Sequence, residues 1–351
     1  MIKSKPGKKG VLLVNLGTPD SPSVPDVRKY LREFLMDGRV IDFPFIPRWM
    51  LVNLIIAPFR SPKSAKIYKQ LWEERGSPLM FHSQDVRTKL QALLGSEYIV
   101  ALGMRYQQPS IESALQILRK QHVSEILVIP LFPQYASATT GSVIDKVMEI
   151  TKKWQVIPNI SFVSQFHEHE LFIESFAQIA RKYLEEREFD HILFSYHGIP
   201  ERQIKKASVD NYCRLSDQCC SVYHAKNRFC YRAQCFQTTR LLAESLNIPD
   251  DKYTVVFQSR LGKDPWIKPY ADETIKQLAQ NGIKSILIFS AAFVADCLET
   301  TIEVGDEFKE IFEENGGEHW QMVESLNSND SWVACLQSIV LDKLPVSTHI
   351  K

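Results

Sequence analysis

The chain has 351 residues, which is too long for one ordinary hydrophobic core and suits two domains of similar size. Its 42 Lys and Arg residues nearly balance its 41 Asp and Glu residues, so no basic face for nucleic acid is expected. No apolar segment reaches the length of a membrane span, and the basic residues 1–9 lack the pattern of a signal peptide. We therefore expect a cytoplasmic protein.

Short apolar runs rich in β-branched residues alternate with longer amphipathic stretches along the chain. This alternation is typical of βαβ units and therefore predicts parallel sheets flanked by helices in an α/β fold. The predicted strands form two sets, at residues 10–16, 98–103, 126–132 and 160–163 and at residues 192–195, 253–257 and 286–290. The chain thus looks like one half-sheet used twice.

This repeat predicts where the domains divide. A linker near residues 165–170 would separate a first domain, 1–166, from a second domain, 167–325. A last amphipathic helix, roughly 331–343, lies in the terminal segment 326–351, and we expect it to pack back on the first domain.

An unusually apolar piece, residues 43–59, lies between the first two predicted strands. Its prolines at positions 44, 47 and 58 frame one short helix of at most about three turns. The apolar side chains of this helix, among them Trp49 and Leu54, spread around most of its surface. Such a helix is either buried in the core or in contact with a large apolar ligand or a membrane surface.

Two loops at predicted strand ends combine polar groups with aromatic rings, GMRY at 103–106 and PQYASATTGS at 133–142. Arg105 can bind a carboxylate through its forked guanidinium, while Tyr106 and Tyr135 can stack on a flat ligand. A capped helix start with a structural tyrosine explains each loop equally well in isolation. Several such loops on one edge of a sheet favour a binding site.

His197 lies at the end of the fifth predicted strand, in the stretch FSYHGIP at 194–200. Gly198 and Pro200 end that strand abruptly, so the imidazole is delivered to the carboxyl edge of the sheet, where α/β folds usually bind ligands. An imidazole there can accept a proton near neutral pH or bind a metal. The structural alternative is a histidine that only makes a hydrogen bond at a strand end.

A second polar stretch, residues 295–310, follows the last predicted strand. Asp296 and Glu299 have the spacing of a capping box, which predicts that a helix begins at Asp296. Acidic residues then recur at helical spacing on one face, at positions 299, 303, 306, 307 and 310. They form either a solvated acidic face or a row of oxygen ligands that conducts a divalent cation or protons toward His197.

The chain resembles the ferrochelatases, which insert ferrous iron into a porphyrin in the last step of protohaem synthesis. Eight short stretches carry the resemblance: LVNLGTP at 13–19, GSPL at 76–79, GMRY at 103–106, PQY at 133–135, SYHGIP at 195–200, FQSR at 257–260, DPW at 264–266 and DCLET at 296–300. In this order and spacing they are highly specific and cover nearly the whole chain. The resemblance implies two Rossmann-like domains of the class II chelatase type with an active-site cleft between them.

The resemblance also implies roles for single residues. His197 matches the family's catalytic histidine, which takes up pyrrole protons or receives the metal, and Glu299 matches the acid that faces it. Glu303 is the third implied ligand of the substrate iron, and we expect it to matter less than Glu299. The implied porphyrin-binding residues are Leu16, Arg60, Arg105, Tyr106, Tyr135 and Trp266. The piece 43–59 corresponds to a lip that admits the macrocycle and, in some members, rests on the membrane.

The implied reaction needs few groups. A porphyrin loses two pyrrole protons as one divalent cation enters, so a base and an anionic path on opposite sides of a flat ligand suffice. A cleft that holds the macrocycle distorted would lower the barrier. One departure from the family is Cys297, which stands where some members have histidine and puts any ligand role beside Glu299 in doubt.

The expected partners are ferrous iron and a porphyrin, protoporphyrin IX in the first place and coproporphyrin as the alternative. Residues 43–59 add a peripheral contact with the inner face of the membrane, nucleic acid is not expected, and the oligomeric state stays open. Two other hypotheses compete: a tetrapyrrole or metal carrier without turnover, which would not need His197 opposite Glu299, and a cobalt chelatase on the same fold.

Five of the seven cysteines lie within one short segment, at Cys213, Cys219, Cys220, Cys230 and Cys235. In a chain without a secretory signal, such a group favours a metal site over disulfides, and four thiolates suit tetrahedral zinc or an iron–sulfur cluster. Because the adjacent pair Cys219 and Cys220 points its side chains apart, we expect only one of the two to bind metal. Some bacterial ferrochelatases resemble this chain in carrying a [2Fe–2S] cluster on an internal insertion, here about 209–238. That cluster therefore ranks above zinc, with a structural or regulatory role.

Overall fold

The structure, a computed structural model, describes residues 7–262 and 264–345, apart from the side chain of Asp217. For residues 1–6, the expectation about a signal peptide lies outside the described part. Two four-stranded parallel sheets organise the chain. The first has the order β2-β1-β3-β4 and consists of β1 (Lys9–Gly17), β2 (Tyr98–Tyr106), β3 (Glu125–Pro130) and β4 (Asn159–Phe162). The second has the order β6-β5-β7-β8 and consists of β5 (His191–His197), β6 (Tyr253–Gln258), β7 (Ser285–Phe289) and β8 (His319–Met322).

Both sheets place their strands in the same relative order, so the repeat predicted from the sequence is confirmed. Helices flank both sheets, which confirms the α/β fold class. The α-helices are α1 (Val24–Leu35), α2 (Phe45–Met50), α3 (Ala57–Leu71), α4 (Pro78–Leu94), α5 (Ile111–Lys120), α6 (Ser142–Thr151), α7 (Glu170–Glu186), α8 (Glu201–Ala207), α9 (Tyr231–Ser245), α10 (Ala271–Gln280), α11 (Phe308–Glu314) and α12 (Asp330–Lys343). Wider π-helical segments run over Leu51–Ile56, Ser137–Gly141 and Leu298–Glu307.

The chain divides into two compact units. One comprises Met1–Leu131, Ser137–Ser164 and Ser328–Lys351, and the other comprises Phe132–Ala136 and Gln165–Asn327. The predicted domain limits, 1–166, 167–325 and 326–351, stay a prediction.

The core of the first unit lies around β1, where residues 11–14 are fully buried. The helix predicted near the end of the chain is present as α12 and packs on α4. Lys89 joins these two helices through an ion pair of 2.7 Å with Asp330. The core of the second unit lies beside β7, whose Ile286 and Ile288 pack with Phe312 of α11.

Two strand predictions are wrong in detail. The fourth strand of the second sheet, β8, has no counterpart among the predicted strands. In addition, residues 103–106 do not form a loop, because β2 continues to Tyr106 and pairs in register with β1 up to Gly17. Arg105 and Tyr106 therefore belong to a strand, where their backbone conformation is fixed by the sheet.

The apolar piece 43–59 also differs from its prediction. The chain is helical from Phe45 through the π-helical segment and into α3, so Pro58 does not end the helix. Pro58 occupies the first turn of α3, where a missing N–H costs little. The preceding segment is wide enough for the N–H of Ala57 to reach the carbonyl of Val52, five residues back.

Candidate active site

His197 is the last residue of β5, and its backbone is anchored on both sides. The hydroxyl of Tyr231 donates to its carbonyl at 2.9 Å, and the N–H of Gly198 donates to the carbonyl of Gln258 at 2.8 Å. A Cβ atom at Gly198 would lie 2.9 Å from that same oxygen, so the close approach of the two strand ends requires glycine. The glycine at position 198 therefore allows the contact that keeps His197 at a rigid strand end.

The imidazole of His197 has one nitrogen engaged. Nδ1 lies 2.6 Å from the carbonyl oxygen of Gly198, and because a carbonyl oxygen only accepts, Nδ1 carries the hydrogen. The neutral ring therefore keeps its lone pair on Nε2. Nε2 is the atom that can accept a proton or bind a metal ion.

Trp266 lies beside the imidazole of His197. The two ring centroids are 6.3 Å apart, and the indole N–H donates to the carbonyl of Leu261 at 2.9 Å. Trp266 also forms a β-bridge with Pro200, directly after the β5 terminus. The bridge holds the backbone of Trp266, and the hydrogen bond to Leu261 orients its indole.

The acidic stretch begins at a different cap from the predicted one. Cys297 is the N-cap of the π-helical segment, and the hydroxyl of Thr300 accepts from the N–H of Cys297 at 3.0 Å. The carboxylate of Asp296 points elsewhere, accepting from the N–H of Ser325 and the amide of Asn327. The predicted capping box of Asp296 and Glu299 is thus wrong by one residue, since Asp296 binds the loop between β8 and α12 instead of the helix start.

The acids of this helix differ in environment along its length. Glu299 and Glu303 are half-buried, whereas Asp306, Glu307 and Glu310 are exposed. The row thus runs from solvent toward a partly buried end. The predicted solvated acidic face therefore applies only to the exposed acids of this row.

Glu303 is hydrogen-bonded to the end of β6. One of its carboxylate oxygens accepts from the amide of Gln258 at 2.9 Å and from the hydroxyl of Ser259. Burial raises the pKa of Glu303, although Ser259, the charge of His197 and Gln258 each favour its ionised form. The charges of His197 and Glu299 both act on the carboxyl of Glu303, so the three residues predicted to bind iron lie near one another.

Arg105 and Tyr106 have an environment that the sequence did not predict. The guanidinium of Arg105 lies 2.6 Å from Asp37, and the Tyr106 hydroxyl donates to the same carboxylate oxygen at 2.9 Å. Ser142 donates to it as well. Tyr106 is fully buried, so its ring is not presented to a ligand here, and only an edge of Arg105 is exposed.

The remaining predicted porphyrin contacts lie at different levels of exposure. Tyr135 is partly buried, its ring stands edge-on to Phe229, and its N–H donates to Gln234 at 2.6 Å. In the first unit, Leu16 is half-buried and Arg60 is exposed on α3. Their roles toward a porphyrin stay predictions.

Four of the five clustered cysteines contact one another. The Sγ atoms of Cys219 and Cys220 are 3.9 Å apart, and the thiol of Cys230 hydrogen-bonds with those of Cys213 and Cys220. Cys235 is fully buried, and its thiol interacts with Tyr231. Cys230 is the N-cap of α9 and has an extended backbone, whereas Cys235 lies within the helix, so the two side chains leave the chain in different surroundings.

The thiols do not form a ready metal site. Within residues 7–262 and 264–345, no group of three or more His, Cys, Asp or Glu side chains is arranged to hold a metal ion. The four cysteines are instead held by hydrogen bonds between thiols and by the surrounding loop, where buried Asn227 donates to the carbonyls of Cys219 and Val222. Both Cys219 and Cys220 contact other thiols of the group, and the expectation that only one of the two binds metal stays a prediction.

Comparison with known proteins identifies the family of this chain. A sequence model of the ferrochelatase family matches residues 8–344. A protein named ferrochelatase from Legionella pneumophila (strain Lens) is 49% identical over 333 residues, covering 95% of this chain and 98% of the relative. A protein of the same name from Coxiella burnetii (strain Dugway 5J108-111) is 42% identical over 337 residues, covering 96% and 94%. This chain belongs to the ferrochelatase family.

The family assignment carries the reaction with it: the chain is a metal-insertion enzyme that introduces ferrous iron into a porphyrin for haem synthesis. Among solved structures, SirB from Bacillus subtilis with Fe3+ has a similar fold, with a TM-score of 0.54 at 12% identity and 95% of each chain covered. That likeness identifies the class II chelatase fold.

Sequence reasoning missed three residues that shape this site. Asp37, Tyr231 and Gln258 are each largely buried and hydrogen-bonded to a predicted site residue or its backbone. Gln258 and Ser259 stood in a stretch typical of the family, FQSR, but carried no assigned role. Asp37 and Tyr231 gave no signal, because a single acid or tyrosine in a mixed segment reveals no partner.

Proposed function

We propose that this ferrochelatase family member uses protoporphyrin IX as its porphyrin, with His197 as the proton acceptor. The observation that carries the proposal is the hydrogen bond from Nδ1 of His197 to the carbonyl of Gly198, which leaves the lone pair of the neutral ring on Nε2. Two pyrrole N–H bonds break, each with its electron pair left on nitrogen, and all four ring nitrogens then bind the iron. His197 accepts one proton at a time and passes the first to water before it accepts the second. No change of oxidation state is needed.

In this scheme the protons and the iron use different groups. Nε2 of His197 takes up a pyrrole proton, while the carboxylates of Glu299 and Glu303 guide ferrous iron inward from the exposed outer acids. Oxygen ligands bind a divalent cation without trapping it when some of its water is retained. Trp266 and Tyr135 supply apolar faces for the macrocycle, and Leu16 and Arg60 stay predicted contacts.

For Arg105 and Tyr106 we propose a supporting role instead of direct stacking. Their contacts with Asp37 fix the end of β2, and the exposed edge of Arg105 is the part that a propionate could reach. This proposal keeps a charged contact for the substrate and replaces the predicted stacking of Tyr106.

We further propose that residues 43–59 rest on the surface of the cytoplasmic membrane. Large apolar side chains are exposed along this piece, namely Phe43, Phe45, Ile46, Trp49, Met50, Leu54, Ile55 and Phe59. Core packing is thereby disfavoured as their main role. In the described residues no helix is long and apolar enough to span a bilayer, so the contact proposed is peripheral.

For the cysteine-rich segment we propose a [2Fe–2S] cluster, with zinc as the alternative. The convergence of Cys213, Cys219, Cys220 and Cys230 supports this set of ligands over one that includes Cys235. Arg232 is almost fully buried beside them and offsets negative charge on Cys220. Metal binding would replace the hydrogen bonds between thiols. When bound, the cluster would be structural or regulatory, and no step of iron insertion is assigned to it.

One assay tests the proposed reaction. Purified protein is mixed anaerobically with ferrous iron and either protoporphyrin IX or coproporphyrin, and loss of the free-porphyrin absorbance is followed. Haem formation at catalytic rates with protoporphyrin IX supports the proposal, and preference for coproporphyrin rejects the proposed substrate. Stoichiometric binding without turnover would instead indicate a carrier.

A further inference from the structure

Gln258 contacts several parts of the second unit at once. It is the last residue of β6, it pairs in register with His197 of β5, and only 2% of its surface is exposed. Its backbone carbonyl accepts from Gly198, so the residue is attached to the loop that orients the imidazole. A buried amide side chain needs partners for all its polar atoms, and here they are specific.

The orientation of the amide is set by Ser195. The hydroxyl of Ser195, itself fully buried, donates to Oε1 of Gln258 at 2.7 Å. Nε2 must then face the acidic helix, where it donates to the carbonyl of Glu299 and to Oε2 of Glu303, each at 2.9 Å. Both amide hydrogens are therefore used on the helix that carries the acids.

Ser259 adds a second donor to the same oxygen. Its hydroxyl donates to Oε2 of Glu303, and its backbone has a φ of 65°, in the left-handed region that non-glycine residues rarely adopt. Such a conformation persists only where its surroundings enforce it and is common at functional sites. Both contacts lie on Oε2, so Oε1 of Glu303 is the oxygen that remains for a proton or for iron.

We propose that Gln258, together with Ser259, is a positioning residue that fixes the carboxylate of Glu303 for iron insertion. It acts through Glu303 and does not itself touch the substrate. The inference rests on the proposed function, in which Glu303 guides the iron. An amide suits the position because its two N–H groups bind two acceptors at once. A carboxylate there would repel Glu303, and a hydrocarbon would remove one of the two donors that hold its carboxylate.

The test is a double-mutant cycle measured as turnover. Gln258→Leu keeps the approximate volume and removes both donors, and we expect kcat to fall about tenfold or more with the KM for porphyrin within about twofold. In a Glu303→Gln background the same substitution should change kcat less than about twofold, because the group it acts through is already altered. Gln91→Leu, which removes donors to the backbone of Gly95 and Tyr98, is the matched control and should leave kcat unchanged.

A second variant separates positioning from folding. Ser259→Gly removes the hydroxyl but relieves the left-handed strain, so it should raise the thermal midpoint while lowering kcat several-fold. A merely structural role predicts that stability and activity move together. Ser259→Gly with unchanged kcat, or an equal loss from Gln258→Leu in both backgrounds, overturns the inference while the proposed function stands. Normal turnover in Glu303→Gln removes Glu303 from the proposed function, and the inference with it.

Discussion

The guanidinium of Arg105 lies 2.6 Å from the carboxylate of Asp37, and this pair closes the end of β2. Tyr106 and Ser142 donate to the same oxygen, and the N–H of Arg39 donates to the other. Burial opposes the ionisation of Asp37, but Ser142, the backbone of Arg39 and the charge of Arg105 outweigh it and lower the pKa of this carboxyl. The pair is therefore a structural anchor at the end of β2.

Asp37→Asn should destabilise the protein by about 3 kcal/mol at neutral pH, because Arg105 is left buried without its counter-ion. Asp145→Asn breaks an exposed pair with Arg39 and should cost less than about 1 kcal/mol. Denaturation midpoints in urea measure both. Equal costs would mean that burial adds nothing to the Asp37 pair.

The same carboxyl should make stability depend on acid. Its folded pKa lies below the unfolded value of 3.8, so its stabilising contribution is complete above that pH and is lost as the pH falls through the lowered pKa. Between about pH 5 and about pH 2.5, Asp37→Asn should therefore lose less stability than the unchanged chain. Parallel pH profiles for the two proteins would contradict this assignment.

Glu303 is expected to matter at least as much as Glu299, which reverses the order predicted from the sequence. Glu303→Gln should lower kcat about a hundredfold with little change in porphyrin affinity, since its carboxylate is held in place and interacts with His197. Glu310→Gln, on the exposed outer part of the row, is the control and should be nearly neutral. A larger loss in Glu310→Gln than in Glu303→Gln would reject an inward path that ends at Glu303.

The apolar lip should bind membranes without contributing to stability. Trp49→Glu and Leu54→Glu, at positions 45% and 55% exposed, should release the protein from phosphatidylcholine–phosphatidylglycerol vesicles and raise the KM for porphyrin. Val156→Glu, at an exposed apolar position elsewhere, should leave vesicle binding unchanged. Large losses of thermal stability with unaltered kinetics would show that this piece serves the core.

The cysteine segment is tested by metal content. Anaerobically purified protein should be brown with about two irons and two sulfides per chain. Cys230→Ser should abolish the colour, whereas Cys235→Ser should retain it, because Cys235 faces Tyr231. One zinc per chain would decide for the alternative, and freely titrating thiols with full activity would reject a metal centre.

Much of the fold could be predicted because buried parallel strands have a strong pattern. The strand β8 was missed because its four residues, HWQM, include no β-branched side chain and form a half-buried edge strand. The helix through Pro58 was missed because proline usually marks a helix boundary. The sequence does not reveal the π-helical turn that precedes Pro58 and continues into the next helix.

The site was predictable in its chemistry and less so in its contacts. His197 and the acids stood out because their residue types at strand and helix ends indicate a function. The hydrogen bond from Gln258 to Glu303 and the ion pair between Asp37 and Arg105 each join side chains that are distant in sequence. No local sequence pattern encodes such pairs. The departure of Cys235 from the other thiols likewise follows from the start of α9 at Tyr231, inside the segment predicted as an insertion.

The central claim is that His197 takes up the pyrrole protons, and His197→Ala tests it most directly. Iron insertion and porphyrin binding are measured on the same anaerobic protein, with exposed His122→Ala as the control. The account predicts that turnover in His197→Ala falls at least about a hundredfold while porphyrin affinity changes less than about threefold. Near-normal turnover in this variant would contradict it.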